Sequence, residues 1–349
     1  MALSTIFSFY LIEGFLLYSG LGDEHYIPDN QAKQNKLKKK PDFDTRSLIE
    51  VYEDMKTWDK NIVLAIYPGW SFVKNTNQQL FQLAGISNRK TILCNENGYY
   101  ATYQSDRYGF NNPDSEWDKK QVAFFIVGDS YVHGSCVNEK DTISGNIRKK
   151  IKSGFVLNLG YGDDGPLLEY ATLREYLPIT NTKRVLWVYF ENNDLRNLKV
   201  EINNLILLNY LNNKEFSQNL PLKQNDIDTK LKKILQKGRL KIHQDAKTNR
   251  LLRFIKLSFL RRYTLERLNA PPALPLNVTL EKFAEIISIS KSFTEKQNAK
   301  FYFVYLPHYP RYKNTKNNTN DYRNYGKVIK IVKNLDIPII DINKELFLT

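Results

Sequence analysis

From position 121 onward the chain alternates short continuous apolar runs with helix-length amphipathic segments. Residues 122–127, 155–159, 184–190, 300–306 and 337–341 read as strands, and 141–152, 167–177, 280–297 and 322–334 as helices. Strands that are apolar throughout, with no polar residue at alternate positions, are buried on both faces. The pattern therefore predicts an α/β domain with a doubly wound parallel sheet between helical layers, spanning 121–349. The alternation breaks at 196–276, where a basic stretch of helical pattern is read as an inserted subdomain. Residues 25–120 carry apolar runs broken by Asn, Gly, Pro and Asp without a sustained period, which suggests a juxtamembrane lead-in packed on the main domain.

Residues 1–24 are different in kind. Positions 2–21 are mostly apolar, about the length that crosses a bilayer, and carry one charge, Glu13. A carboxylate near the middle of a span costs about 2.5–3.5 kcal/mol, whereas each surrounding Leu, Ile or Phe returns only a few tenths. An uncleaved single-pass anchor with an extracytoplasmic α/β domain is the expectation; a cleaved signal and an ordinary helix are the other readings. The cluster Lys33, Lys36, Lys38, Lys39 and Lys40 follows the apolar run and pulls the orientation the other way. A basic stretch ahead of Met1 would reverse that balance.

Charge changes the picture at one place. The net charge of +14 would ordinarily suggest an acidic partner, yet most of the excess lies at 230–267, where 13 Lys/Arg face only Asp245 and Glu266. Apolar residues interleave there as in amphipathic helices. The stretch is compatible with a solvated helical face or with contact to anionic lipid or an acidic glycan; nucleic acid is disfavoured. With two cysteines the chain is no disulfide scaffold. Cys94 and Cys136 are either a single bridge, if the domain is exported, or two buried thiols.

Three polar, turn-forming clusters directly follow three successive strands, where open parallel sheets carry their functional groups. The first is Gly128-Asp129-Ser130: glycine turns the chain off the strand, Asp129 holds the turn, and Ser130 opens the next helix. Read alone, it is equally an ordinary strand-to-helix turn. The second is Asn158-Leu159-Gly160-Tyr161-Gly162-Asp163, whose glycines allow a backbone N–H to approach a substrate oxygen. The third is Glu191-Asn192-Asn193-Asp194, where the Asn193 amide can donate to an oxyanion and Asp194 can anchor the loop.

In this order the three clusters resemble the SGNH/GDSL hydrolase family. Asn95-Glu96-Asn97-Gly98 and Ser105-Asp106-Arg107-Tyr108-Gly109-Phe110 also look like the segment ahead of the hydrolase core in membrane-anchored bacterial members, so the likeness covers most of the chain. The resemblance implies a Ser130 nucleophile, with an oxyanion hole built from the Ser130 N–H, a Gly162 or Asp163 N–H and the Asn193 amide. It implies an ester substrate, a small molecule or an O-acylated glycan or lipid, cleaved through an acyl-Ser130 intermediate or passed on as an O-acyltransferase would. A glycan-binding or assembly module without turnover is the contrasting class.

Two departures stand against the family pattern. Asp163 occupies a position where many members have glycine, and its carboxylate would oppose an oxyanion unless it turns away. The Asp-x-x-His that supplies the base is absent from the last fifty residues. Either the segment bearing it lies beyond Thr349 or the member is degenerate. Within the chain, His308, after the strand 300–306, is either a substitute base or a loop or ligand-contact residue; His133 has poor geometry for the task, and His25 and His243 read as surface residues. No metal or cofactor is expected, since neither HExxH, CxxC nor a phosphate loop occurs.

Overall fold

The computed structural model describes residues 2–19, 42–73, 79–118, 120–151, 155–247, 254–258, 260–261, 264, 274–312, 322 and 324–347. Their contacts divide into two compact units, Arg46–Leu231 with Ala273–Thr349, and Met1–Thr45 with Lys232–Pro272.

The larger unit begins with a helix, Leu48–Trp58, whose capping box pairs Ser47 and Glu50 reciprocally. A small sheet follows, formed by β1 (Val63–Leu64), β2 (Lys90–Ile92) and β3 (Thr102–Gln104); β1 and β2 run parallel, β2 and β3 antiparallel. The main sheet comprises β4 (Val122–Gly128), β5 (Phe155–Asn158), β6 (Arg184–Phe190), β7 (Lys300–Leu306) and β8 (Ile339–Asp341), all parallel and ordered β5-β4-β6-β7-β8. Counted from β4 this is 2-1-3-4-5, the flavodoxin-type doubly wound order, whose switch point lies between its first and third strands, here β4 and β6. The α/β reading of the sequence, with a parallel sheet and helices, is correct.

Helix Pro166–Tyr176 is buried at every position, because helices Asp194–Glu201, Leu205–Asn212 and Leu276–Lys296 pack around it while it covers the sheet. A helix enclosed on all sides shows no single apolar stripe.

The sequence places boundaries at 120/121 and at 196–276, but the contacts part elsewhere. Residues 105–118 are locked to the sheet: Asp106 accepts hydrogen bonds from the Tyr108 and Phe110 N–H, the Asn112 amide and the Trp117 indole, and Asn112 bonds both the Asn158 carbonyl and its N–H. Helices Asp194–Glu201 and Leu205–Asn212 likewise belong to the sheet-bearing unit, and only Lys232–Pro272 of the expected insertion groups with the N-terminal residues.

In the smaller unit, helix Ala2–Ser19 packs Tyr10, Glu13 and Gly14 toward residues 254–260. Among the described residues no helix is long and apolar enough to cross a membrane, so the anchor expected at 1–24 rests on the sequence pattern alone. The Lys33–Lys40 cluster and His25 lie outside the described residues.

Candidate active site at the sheet switch point

Ser130 lies immediately past β4, Gly162 and Asp163 past β5, and Asn193 and Asp194 past β6, so the carboxyl ends of adjoining strands bring all five to the switch point. Gly128 makes the first turn possible. A Cβ there would lie 2.8 Å from the Val188 carbonyl on β6 and 2.5 Å from the Val132 side chain. Asp129 caps the turn that follows, accepting the Tyr131 N–H at 2.9 Å. That helix, Ser130–His133, is a single turn closed by Gly134, so its dipole is small.

Ser130 Oγ donates to Asp129 Oδ2 at 3.3 Å, its one side-chain partner among the described residues. Asp129 is fully buried, and burial pushes its carboxyl up to about 6 although hydrogen bonds from the Tyr131 N–H and the Asn193 amide oppose the rise. The Asn193 amide is therefore turned toward Asp129, beside Ser130. Asp194 accepts the Phe190 N–H at 2.9 Å and ties its loop back to β6.

The glycine loop is shaped by Asp163. Its φ of +64° is left-handed, a conformation that glycine enters freely and Asp better than most residues. That is how an aspartate is accommodated at this turn after β5. Burial raises the Asp163 carboxyl and Arg196 opposes the shift. Tyr67 packs on Gly162 so closely that a Cβ there would meet the ring at 2.4 Å. Among the described residues neither the Gly162 nor the Asp163 N–H donates a hydrogen bond; Gly162 is buried beneath Tyr67 and Asp163 is half-buried.

Helix Asp194–Glu201 grips this loop through a polar stripe that sequence reading missed. Asn197 donates to the Asp163 and Asp164 carbonyls at 3.1 and 3.3 Å, and Glu201 accepts the Gly165 and Leu167 N–H at 2.6 and 2.9 Å. With Asn193 these residues recur every four positions, which puts them on one helix face and was the available signal. Around them lies a group of buried carboxyls. Burial pushes Glu201 up to about 8 and, reinforced by neighbouring carboxylates, raises Asp164, Glu169 and Asp194 well above their usual range. Among the described residues neither carboxyl oxygen of Glu169 has a hydrogen-bond partner. Among the described residues no group of three or more His, Cys, Asp or Glu is arranged to hold a metal ion.

His133 turns away from Ser130 into an aromatic cluster. Its ring stacks on Tyr161 at 4.2 Å and its Nε2 lies 3.3 Å from the Tyr103 hydroxyl, while burial lowers its pKa to about 3. It is a neutral core residue. His308 sits at the end of β7, two strands from Ser130, where its N–H donates to Glu191 Oε2 at 2.9 Å. The His308 ring stands edge-on to Phe190, which packs against Tyr131. A disulfide joins Cys94 to Cys136 and fastens the small-sheet region to the loop following the Ser130 turn. No protein-family model and no curated protein matches the chain.

Proposed function

We propose that the larger unit is a serine ester hydrolase of the SGNH/GDSL kind, acting on an O-acyl ester of a small molecule, glycan or lipid. The observation that carries this reading is the meeting of Ser130, the unbonded Gly162 and Asp163 N–H groups and the Asn193 amide at one switch point. Ser130 Oγ attacks the acyl carbon, its proton passes to a base, and the carbonyl oxygen becomes an anion held by the loop amides. Collapse expels the alcohol and leaves acyl-Ser130, which water cleaves to release the acid; a sugar hydroxyl in place of water would make the reaction an acyl transfer.

Two groups are candidates for the base. Asp129 touches the hydroxyl, and a carboxyl raised to about 6 has roughly the basicity of imidazole. His308 shares the sheet edge. A fluorophosphonate probe, which needs an activated serine, is expected to label Ser130 and not the Ser130→Ala protein. Loss of labelling in Asp129→Asn, which keeps the cap, assigns the proton to Asp129, and loss in His308→Ala assigns it to the imidazole. An unlabelled, folded wild-type protein carrying any natural sequence that follows Thr349 would sink the hydrolase reading in favour of a binding or assembly module. That module is the second reading because the hydroxyl touches a carboxyl and no imidazole among the described residues.

A further inference from the structure

We infer that helix Ala2–Ser19, with the described residues at 254–261 that pack on it, is a docking element for an anionic lipid bilayer. Helix Ala2–Ser19 turns its one acidic residue inward: Glu13 is fully buried and accepts the Leu260 N–H at 2.7 Å. Tyr10 on the same face donates to the Ile255 carbonyl at 3.0 Å and packs its ring beside Phe254. The charge that argued against membrane contact is thus satisfied within the unit, and an apolar medium no longer has to solvate it alone.

The outward arc is apolar. Phe7, Leu11 and Phe15 recur every four residues and are 64, 58 and 60% exposed, with Phe9 and Ile12 exposed beside them. A row of large apolar side chains on one helix is far more than isolated surface hydrophobics and marks a binding face. Next to it the partner segment exposes Ile255 with Lys256 and Arg261, within the stretch 230–267 that carries 13 Lys/Arg.

The combination selects the occupant. A bilayer of anionic lipid offers hydrocarbon to the phenylalanines and negative headgroups to the Lys and Arg at once. A second copy would bring two strongly basic segments together, and a nucleic acid would leave the apolar row in water.

Flotation of the full chain with vesicles tests this. Phosphatidylcholine vesicles containing about one third phosphatidylglycerol should carry the protein, with partitioning about tenfold weaker on phosphatidylcholine alone or in about 0.5 M NaCl. The triple variant Phe7→Asp, Leu11→Asp, Phe15→Asp should lose at least about tenfold in partitioning. Its circular dichroism and unfolding midpoint should match the wild type, because the substituted side chains face outward. A wild-type protein that stays behind, or a triple variant that floats equally well, overturns the proposal. So does a lipid-free dimer that the triple variant dissociates, which would make a second copy the occupant.

Discussion

At the scale of single residues, the site is governed by carboxyls removed from water. Glu201 keeps its proton in the folded protein up to about 8, whereas in an unfolded chain a glutamate ionises near about 4.3. Between those values the folded state holds a proton that the unfolded state has lost, so stability falls as pH rises through the window and levels off above it. Urea unfolding at acidic, neutral and alkaline pH should show this decline. Glu201→Gln should make it shallower, the other raised carboxyls still contributing, while costing about 1 kcal/mol at acidic pH for a weakened bond to the helix start. Asp163 supports a separate expectation. Glycine accepts its left-handed backbone without strain, so Asp163→Gly should fold normally and raise the rate of fluorophosphonate labelling roughly tenfold by removing a negative charge beside the unbonded amides.

At the scale of elements, the strand ends did more than any single motif. β4 to β8 and their helices were legible because both faces of the sheet are covered, which writes continuous apolar runs into the sequence. The placement of Ser130, Gly162, Asp163, Asn193 and Asp194 past the strand ends was legible because polar turn residues follow those runs directly. What escaped was whatever tertiary contact decides. β1 to β3 are two or three residues long and leave no periodicity, and the inward direction of His133 depends on Tyr67, Tyr103 and Tyr161 from distant segments. Asn197 and Glu201 escaped because their partners are backbone groups of a loop more than thirty residues away. The Cys94–Cys136 bridge closes 42 residues, and opening it by Cys94→Ser with Cys136→Ser should cost up to about 4 kcal/mol in denaturant unfolding.

At the scale of the whole molecule, the two proposals assign the two units different tasks: one holds Ser130 at a sheet edge, the other meets lipid. The division should be separable in experiment, since Ser130→Ala leaves flotation unchanged and the outward-facing triple variant leaves Ser130 reactive.

The sheet topology also has a consequence for assembly. β6 pairs with β4 on one side and β7 on the other, yet β7 arrives only after the long connection from Glu191 to Ala299. Until it does, β6 presents an unpaired edge with the apolar run Val185 to Phe190, the kind of template that recruits other chains. Closing so long a loop costs entropy before any contact repays it, so the slow event in refolding should be the docking of β7, with aggregation competing during that wait. A nascent chain meets the same hazard: β6 leaves the ribosome many seconds before its neighbour is synthesised, and whatever shields that edge meanwhile decides how much of the protein reaches the native state.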